Sequence, residues 1–326
     1  MPSLEAIPSI DSVSQELNEP VVVLVGPTAV GKTEIAVELA EQLSGEIVSV
    51  DSRLLYRGMD IGTAKPTEQE RRQIPHYLVD VTDPDDPWSL PVFQAHAQAA
   101  IAGILQRDHL PILVGGTGQY VRAVTEAWQP PTIAADMPLR KALEAWTDEI
   151  GVKGLHDRLA VLDPEAAQII DYRNLRRTIR ALEVVFLTGE KFSDQRRRIS
   201  TPYCIYQIGL SRPRAELFAR IDDRIDKMFE KGLVSEVRAL LDKGYPDDLP
   251  AFSAIGYREV IAFLHGKISL EETQSSMRRA TRRFVRRQAN WFKPSDPNIH
   301  WYPVEANTVR QIIQDIHNWL VSIKDG

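Results

Sequence analysis

Apolar and polar positions follow two rhythms along this chain. Short apolar runs recur at Val21–Val25, Glu46–Ser52, His76–Val81, Leu110–Val114, Tyr203–Leu210 and 298–304. Between the early runs, apolar residues return every fourth position, as in Ile35, Leu39, Leu43 and again in Phe93, Ala97, Ile101, Leu105. The first pattern predicts buried strands and the second predicts amphipathic helices. Strand, helix and strand in alternation begin a parallel α/β sheet, whose ligands sit beyond the carboxyl ends of the strands.

The pattern changes near Trp128, where Pro130, Pro131 and Pro138 interrupt it. Helical spacing then runs through 139–149, 152–162, 164–170 and 174–188 with no strand signal. The predicted division is an N-terminal extension over 1–20, a sheet-bearing core over 21–127 and 202–326, and a helical insertion over 128–201. In the second core segment, helices are expected over 213–231, 233–243 and 256–265. A long helix follows within Ser269–Lys293, and another from about Thr308.

Composition narrows the classes. The 326 residues are 43% hydrophobic and 26% charged, the balance of a globular protein with a full core. The single cysteine, Cys204, excludes a disulfide framework and a multi-cysteine zinc site, and its apolar run reads as a core thiol. The histidines show no metal-ligand spacing. The first twenty residues carry four acidic and no basic side chains, unlike a secretory or transit signal. No apolar run reaches membrane-spanning length, so the expected location is the cytoplasm, with no membrane partner. A net charge of −6 argues against a nucleic-acid partner until its distribution is considered. Residues 171–198 carry +4 and residues 251–300 carry +5, two basic patches on an acidic body.

The strongest chemical signal follows the first apolar run. Gly26, Pro27, Thr28, Ala29, Val30, Gly31, Lys32 and Thr33 fit the phosphate-loop pattern G-x-x-x-x-G-K-[ST]. Backbone amides in such a loop form an anion-binding concavity, Lys32 adds a point charge, and the Thr33 hydroxyl can join a magnesium shell. The helix that opens there aims its positive end at the same anion. A di- or triphosphate is therefore expected, without a choice between them.

Other features surround it. Asp51 closes the second run, where it reads equally as a reacting carboxylate and as a cap or magnesium-bearing group. Asp80 is its rival for metal work. The long irregular stretch 52–66 reads as a functional loop. Gly115-Gly116-Thr117-Gly118 would bring backbone close to a ligand at the sheet edge, with Thr117 as a hydrogen-bonding candidate. Arg173, Arg176, Arg177 and Arg180 share one face of the last insertion helix, with Leu175, Ile179, Leu182 and Phe186 on the other; Arg196-Arg197-Arg198 follow in the exit loop. In the long helix, Arg278, Arg282 and Arg286 form one stripe and Arg279, Arg283 and Arg287 a second. Met277, Phe284 and Trp291 take the opposite side. Basic helix faces are usually only solvated. Six arginines with no interleaved acid favour a nucleic-acid backbone instead.

These residues admit an enzyme acting on nucleic acid with a phosphorylated donor, or a nucleotide-switched binding protein. The motifs GPTAVGKT, SVDSRLLYRGMDIGTAKP, HYLVDVTDP, LVGGTGQY, RALEV, AIGYRE and RRQANWFK, in that order, resemble the tRNA dimethylallyltransferase (tRNA isopentenyltransferase) family over about Val21 to Trp301. Isopentenyltransferases that act on free adenine nucleotides share the first half; the arginine helix and the insertion favour the tRNA branch.

The resemblance implies a P-loop NTPase-like core and transfer of a dimethylallyl group from dimethylallyl diphosphate to N6 of the adenosine just 3′ of the anticodon, with magnesium and a monomeric enzyme. It implies that Asp51 is the base, with Thr117 and Lys32 beside the reacting groups and Thr33 at the metal. It places the diphosphate on the loop residues 26–33 and Arg258. It places the tRNA anticodon stem-loop on Ser52, Arg53, Leu54, Arg140, Arg176, Arg177 and Arg180. Further contacts fall on Ser253, Gly256, Tyr257 and Arg258, and on Arg282, Arg286, Arg287, Gln288, Trp291 and Lys293. Gln119-Tyr120 after the GGTG turn depart from members with a larger apolar residue there, which bears on the prenyl pocket.

Overall fold

A computed structural model describes residues 19–128, 131, 133–194 and 201–323. Pro130 and Arg196-Arg197-Arg198, singled out from sequence, lie outside the described residues. Six strands form one sheet: β1 (Glu19–Val25), β2 (Gly45–Ser49), β3 (His76–Tyr77), β4 (Leu110–Val114), β5 (Tyr203–Ser211) and β6 (Ile299–Pro303). Their order is β3-β2-β4-β1-β5-β6, and every pairing is parallel. Val21 to Val25 are completely buried, which explains why β1 reads as an unbroken apolar run. β1 begins at Glu19, inside the stretch expected to be extension.

The helices in the first half are α1 (Lys32–Leu43), α2 (Glu68–Gln73), α3 (Leu90–Leu105) and α4 (Gly118–Thr125). The insertion contributes α5 (Met137–Leu162), α6 (Pro164–Ile169) and α7 (Leu175–Thr188). The return to the core adds α8 (Arg214–Glu230), α9 (Leu233–Asp242), a 3₁₀ turn (Pro250–Ser253), α10 (Tyr257–Leu264), α11 (Leu270–Ala289) and α12 (Thr308–Ser322). Two apolar clusters flank the sheet, and a third, around Leu143, Leu155, Leu159 and Leu182, belongs to the insertion alone. A separate core is what lets the insertion form its own unit.

Several expectations change. The run His76–Val81 yields only a two-residue strand, because Leu78 and Asp80 take left-handed backbone angles of 60° and 57°. Asp80 is bound to Lys65 and Arg71 and is thus a fastener of the 52–66 loop rather than a free metal ligand. Arg173 precedes α7 and pairs with Asp171, and Phe186 is exposed rather than packed. Cys204 is half-buried and free.

The far edge of the sheet is pinned by a buried acid. Glu46 accepts hydrogen bonds from Arg107 at 2.7 Å and Tyr77 at 2.6 Å, and pairs with His109. Burial would raise its pKa, but the bonds from Arg107, Tyr77 and His109 outweigh that and hold it at about 2. The folded pKa therefore lies below the ordinary 4.5, so its stabilisation is full above pH 4.5 and fades as pH falls toward 2. Glu46→Gln should cost about 2 kcal/mol at pH 7. The gap to wild type should narrow below pH 4.5 in denaturant titrations across pH.

Candidate active site

Three loops converge beyond the carboxyl ends of β1, β2 and β4. The first is the phosphate loop, Gly26 to Thr33. Gly31, at a φ of 110°, turns the chain into α1 in a conformation that side chains disfavour. Lys32 folds back to donate from Nζ to the carbonyls of Gly26, at 3.0 Å, and Pro27, at 2.9 Å. Burial pushes its ammonium down to about 8, against the pull of the Asp51 carboxylate. Thr33 sits half-buried in the first turn of α1.

The second loop carries Asp51. Its Oδ1 accepts from the backbone N–H of Arg53 at 2.9 Å, so the carboxylate is oriented by its own turn. Arg53 reaches to the carbonyls of Pro250 and Ala251 and to the hydroxyl of Ser253, which ties the turn to the 3₁₀ segment. The third loop carries Thr117, whose Oγ1 accepts from the N–H of Ser52 at 3.3 Å. Asp51 and Thr117, distant in sequence, are thereby held side by side.

The three loops open on one cavity of about 420 Å³. Thr28, Asp51, Ser52 and Thr117 form its polar wall. Ile221, Ile225 and Met228 of α8, with Met277 and Phe284 of α11, supply an apolar wall. Thr28 of the phosphate loop, a carboxylate and a small greasy surface thus face one space.

Sequence reasoning missed the cations that frame the loop. Arg224 of α8 lines the cavity and donates to the Thr28 hydroxyl at 3.3 Å. Burial, then the neighbouring charge of Arg220, lowers its pKa. Arg220 and Arg212 donate to the carbonyls of Ala29 and Val30, both at 2.8 Å. Their sequence signal is slight: Arg220 and Arg224 lie four apart on a helix whose other face is apolar, and Arg212 precedes that helix. Arg258, expected at the diphosphate, is instead exposed, pairs with Glu259, and is not among the cavity's lining residues.

Several expected RNA contacts are also redistributed. Tyr257 is fully buried and donates to Glu236 at 2.5 Å. The same carboxylate accepts from the backbone amides of Asp60, Ile61 and Gly62. Gly256 is buried at the head of α10. Arg140 and Arg180 both bind the buried Glu183, at 2.9 and 2.6 Å, and so brace the insertion. Arg282 and Arg278 pair with Asp222 and Asp226 of α8. Gln288 is buried at the loops themselves. Arg176, Arg283, Arg286, Arg287, Ser253 and Lys293 remain exposed, and Arg177 and Trp291 line a second cavity between core and insertion. Leu54 is half-buried beside Ser52 and Arg53.

Comparison with known proteins matches residues 54–295 to the IPP transferase family model and residues 19–82 to the isopentenyl transferase model. A tRNA dimethylallyltransferase of Roseiflexus sp. is 49% identical over 90% of this chain and 95% of its own. The crystal structure of a full-length tRNA isopentenylpyrophosphate transferase from Bacillus halodurans aligns with a TM-score of 0.68 at 42% identity, over 94% of this chain and 96% of that one. A eukaryotic dimethylallyltransferase solved acting on tRNA aligns with a TM-score of 0.76 at 25% identity, over 93% and 80%.

The chain belongs to the tRNA dimethylallyltransferase family. Its parallel sheet is the P-loop NTPase-like core of that family. The longer family match begins after the phosphate loop and Asp51, and the shorter one spans both.

The depressed pKa of Lys32 makes anion binding pH-dependent. A bound anion favours the ammonium, so binding takes up a proton wherever the empty loop has lost one. Affinity for inorganic diphosphate should hold below pH 8 and fall by roughly tenfold per unit above it. Calorimetry in buffers of different ionisation heat would show the uptake, and Lys32→Met should abolish it.

Proposed function

We propose that the protein transfers the dimethylallyl group of dimethylallyl diphosphate to N6 of adenosine 37, immediately 3′ of the anticodon, in tRNA. The observation that carries this reading is the shared cavity. A diphosphate fits the loop, a five-carbon chain suits the α8–α11 apolar wall, and Asp51 lines the same space. A nucleoside triphosphate would set its polar base and ribose against that apolar wall.

The chemistry follows from these groups. A bond forms between N6 and C1 of the dimethylallyl group as the C1–O bond breaks, and the electron pair leaves with diphosphate. Adenine N6 is a weak nucleophile, because its lone pair is delocalised into the ring. Asp51 orients the amine and takes its proton. Thr117, fixed to the Ser52 amide, holds the base edge beside that carboxylate. Lys32, the loop amides and Arg224 stabilise the charge gathering on the leaving group.

Magnesium fits the donor set. The Thr33 hydroxyl is a hard oxygen ligand, Asp51 is kept for the amine proton, and no cluster of three acidic, histidine or cysteine side chains is present among the described residues. An ion held here would complete its shell with diphosphate oxygens and water, and would supply further neutralisation of the leaving group.

The RNA meets the basic surface of α11 and the insertion, and the target base must leave its stack to reach Asp51. Arg176, Arg283, Arg286 and Arg287 are exposed for phosphate contacts. No described helix is long and apolar enough to cross a membrane. The protein would act as a cytoplasmic monomer on tRNA.

The deciding experiment supplies labelled dimethylallyl diphosphate, magnesium and unmodified tRNA, with AMP and ATP as parallel acceptors. Label on tRNA alone is expected. Label on AMP would move the protein to the free-nucleotide branch, and ATP hydrolysis without transfer would favour a nucleotide-switched binding protein. Asp51→Asn should lower kcat by roughly 10²–10⁴-fold with tRNA affinity intact. An equal loss in both would make Asp51 a binding residue. Arg283→Gln with Arg286→Gln should weaken tRNA binding and reduce its salt slope by about one unit per lost phosphate contact. Arg282→Gln should act on stability more than on affinity, because Arg282 is paired with Asp222.

A further inference from the structure

Gln288 sits at the C-terminal end of α11, in the motif that the family resemblance gives to RNA. Its surroundings point elsewhere. The residue is only 5% exposed, and its amide is fully committed at both ends. Oε1 accepts the backbone N–H of Thr28 at 3.0 Å, inside the phosphate loop. Nε2 donates to the carbonyl of Gly116 at 3.1 Å, one residue before Thr117. Thr28 is gripped a second time, at its hydroxyl, by Arg224.

The approach is close enough to dictate sequence. A Cβ placed on Gly116 would lie 2.1 Å from Nε2 of Gln288. One turn further on, Trp291 fills the space where a Cβ on Gly118 would stand, at 2.3 Å. Two of the glycines in the GGTG turn are thus cut to fit α11. A primary amide carries the acceptor for one loop and the donor for the other on a single planar group.

We infer that Gln288 is a positioning residue that fixes the distance between the diphosphate-gripping loop and the loop that places Thr117 beside Asp51. It touches neither RNA nor the reacting atoms. The inference rests on the transferase reading for its kinetic consequences, and on geometry alone for its effect on anion binding. An SN-type transfer is steep in the separation of nucleophile and leaving group, so an error of about 1 Å between the two loops can cost roughly a hundredfold in rate.

Two variants test it. Gln288→Met keeps the bulk and removes both hydrogen bonds. Gln288→Glu keeps the acceptor for Thr28 but, when ionised, repels the Gly116 carbonyl. When protonated it regains a donor and can rebuild both bonds. For Gln288→Met, the KM for dimethylallyl diphosphate should rise and kcat fall, by roughly tenfold or more together, as expected for two lost hydrogen bonds. The dissociation constant for tRNA should stay within twofold. For Gln288→Glu, the ratio of its kcat/KM to that of wild type should recover as pH falls from 8 to 6.

A rise in the tRNA dissociation constant with unchanged donor KM would overturn the inference and return Gln288 to RNA contact. A ratio flat with pH, together with unaltered donor kinetics in Gln288→Met, would reduce the side chain to packing. Calorimetry with inorganic diphosphate separates this from the transferase reading. Should wild type transfer nothing, weaker diphosphate binding by Gln288→Met would still support the strut, and unchanged binding would refute it.

Discussion

The phosphate loop is the constraint on which the rest depends. A ring of backbone amides turned inward leaves its carbonyls turned outward, and each buried carbonyl needs a donor. Here Lys32 serves Gly26 and Pro27, while Arg220 and Arg212 serve Ala29 and Val30. The loop is therefore shaped by α8, which lies almost two hundred residues away in sequence. With its carbonyls satisfied from outside, the concave face keeps its amides for an anion. The cost is cations taken out of water and set close together: burial first, and neighbouring arginine charge after it, lower the pKa values of Lys32 and Arg224. An anionic ligand relieves that crowding, which is why binding and protonation are coupled.

The second constraint is the register between loops. β1 lies next to β4 and β4 next to β2, so parallel pairing alone delivers the phosphate loop, Asp51 and the GGTG turn to one edge. Pairing sets strand position to within a residue, and that is too coarse for chemistry. Finer placement comes from side chains that cross between loops. Ser52 to Thr117, Gln288 to Thr28 and Gly116, and Arg53 to the 3₁₀ turn all do this. Glu236 does the same for the 60–62 turn by filling its three amides with one carboxylate.

Much of this was legible in the sequence, and the failures have a common cause. The sheet, the insertion and the phosphate loop follow from local pattern: runs of β-branched residues, four-residue spacing, and glycines at fixed offsets. Asp51 stands just past the end of β2, where the sequence pattern sets it near the phosphate loop, and it lines the cavity there. Asp80 ends a similar run, yet the left-handed backbone at Leu78 and Asp80 turns it away to Lys65 and Arg71. What sequence could not show is which charges already have partners. Arg278 and Arg282 look the same as Arg279, Arg283 and Arg286 along the helix. They differ only in facing Asp222 and Asp226, which belong to another helix. The family resemblance gives Tyr257 and Gln288 to RNA contact, whereas both turn inward.

The division within α11 then acquires a physical meaning. One side of the helix binds α8 through the ion pairs of Arg278 and Arg282 and the aromatic face of Phe218, over which Arg282 lies at 5.0 Å. The other side leaves arginines in solvent, where attraction to a polyanion is strong but screened by salt. Between these faces, Phe284 and Met277 look into the cavity, and Gln288 ends the helix at the loops. A single rigid helix thus carries the basic surface, part of the apolar wall and the strut. Because α-helices resist bending, a contact on the outer face fixes the position of the inner one to within the stiffness of the rod. On the proposed reading, RNA docking and donor geometry are in this way tied to one element. On that reading, substitutions that loosen the seat of α11 on α8 should be felt at the phosphate loop, although they touch no ligand.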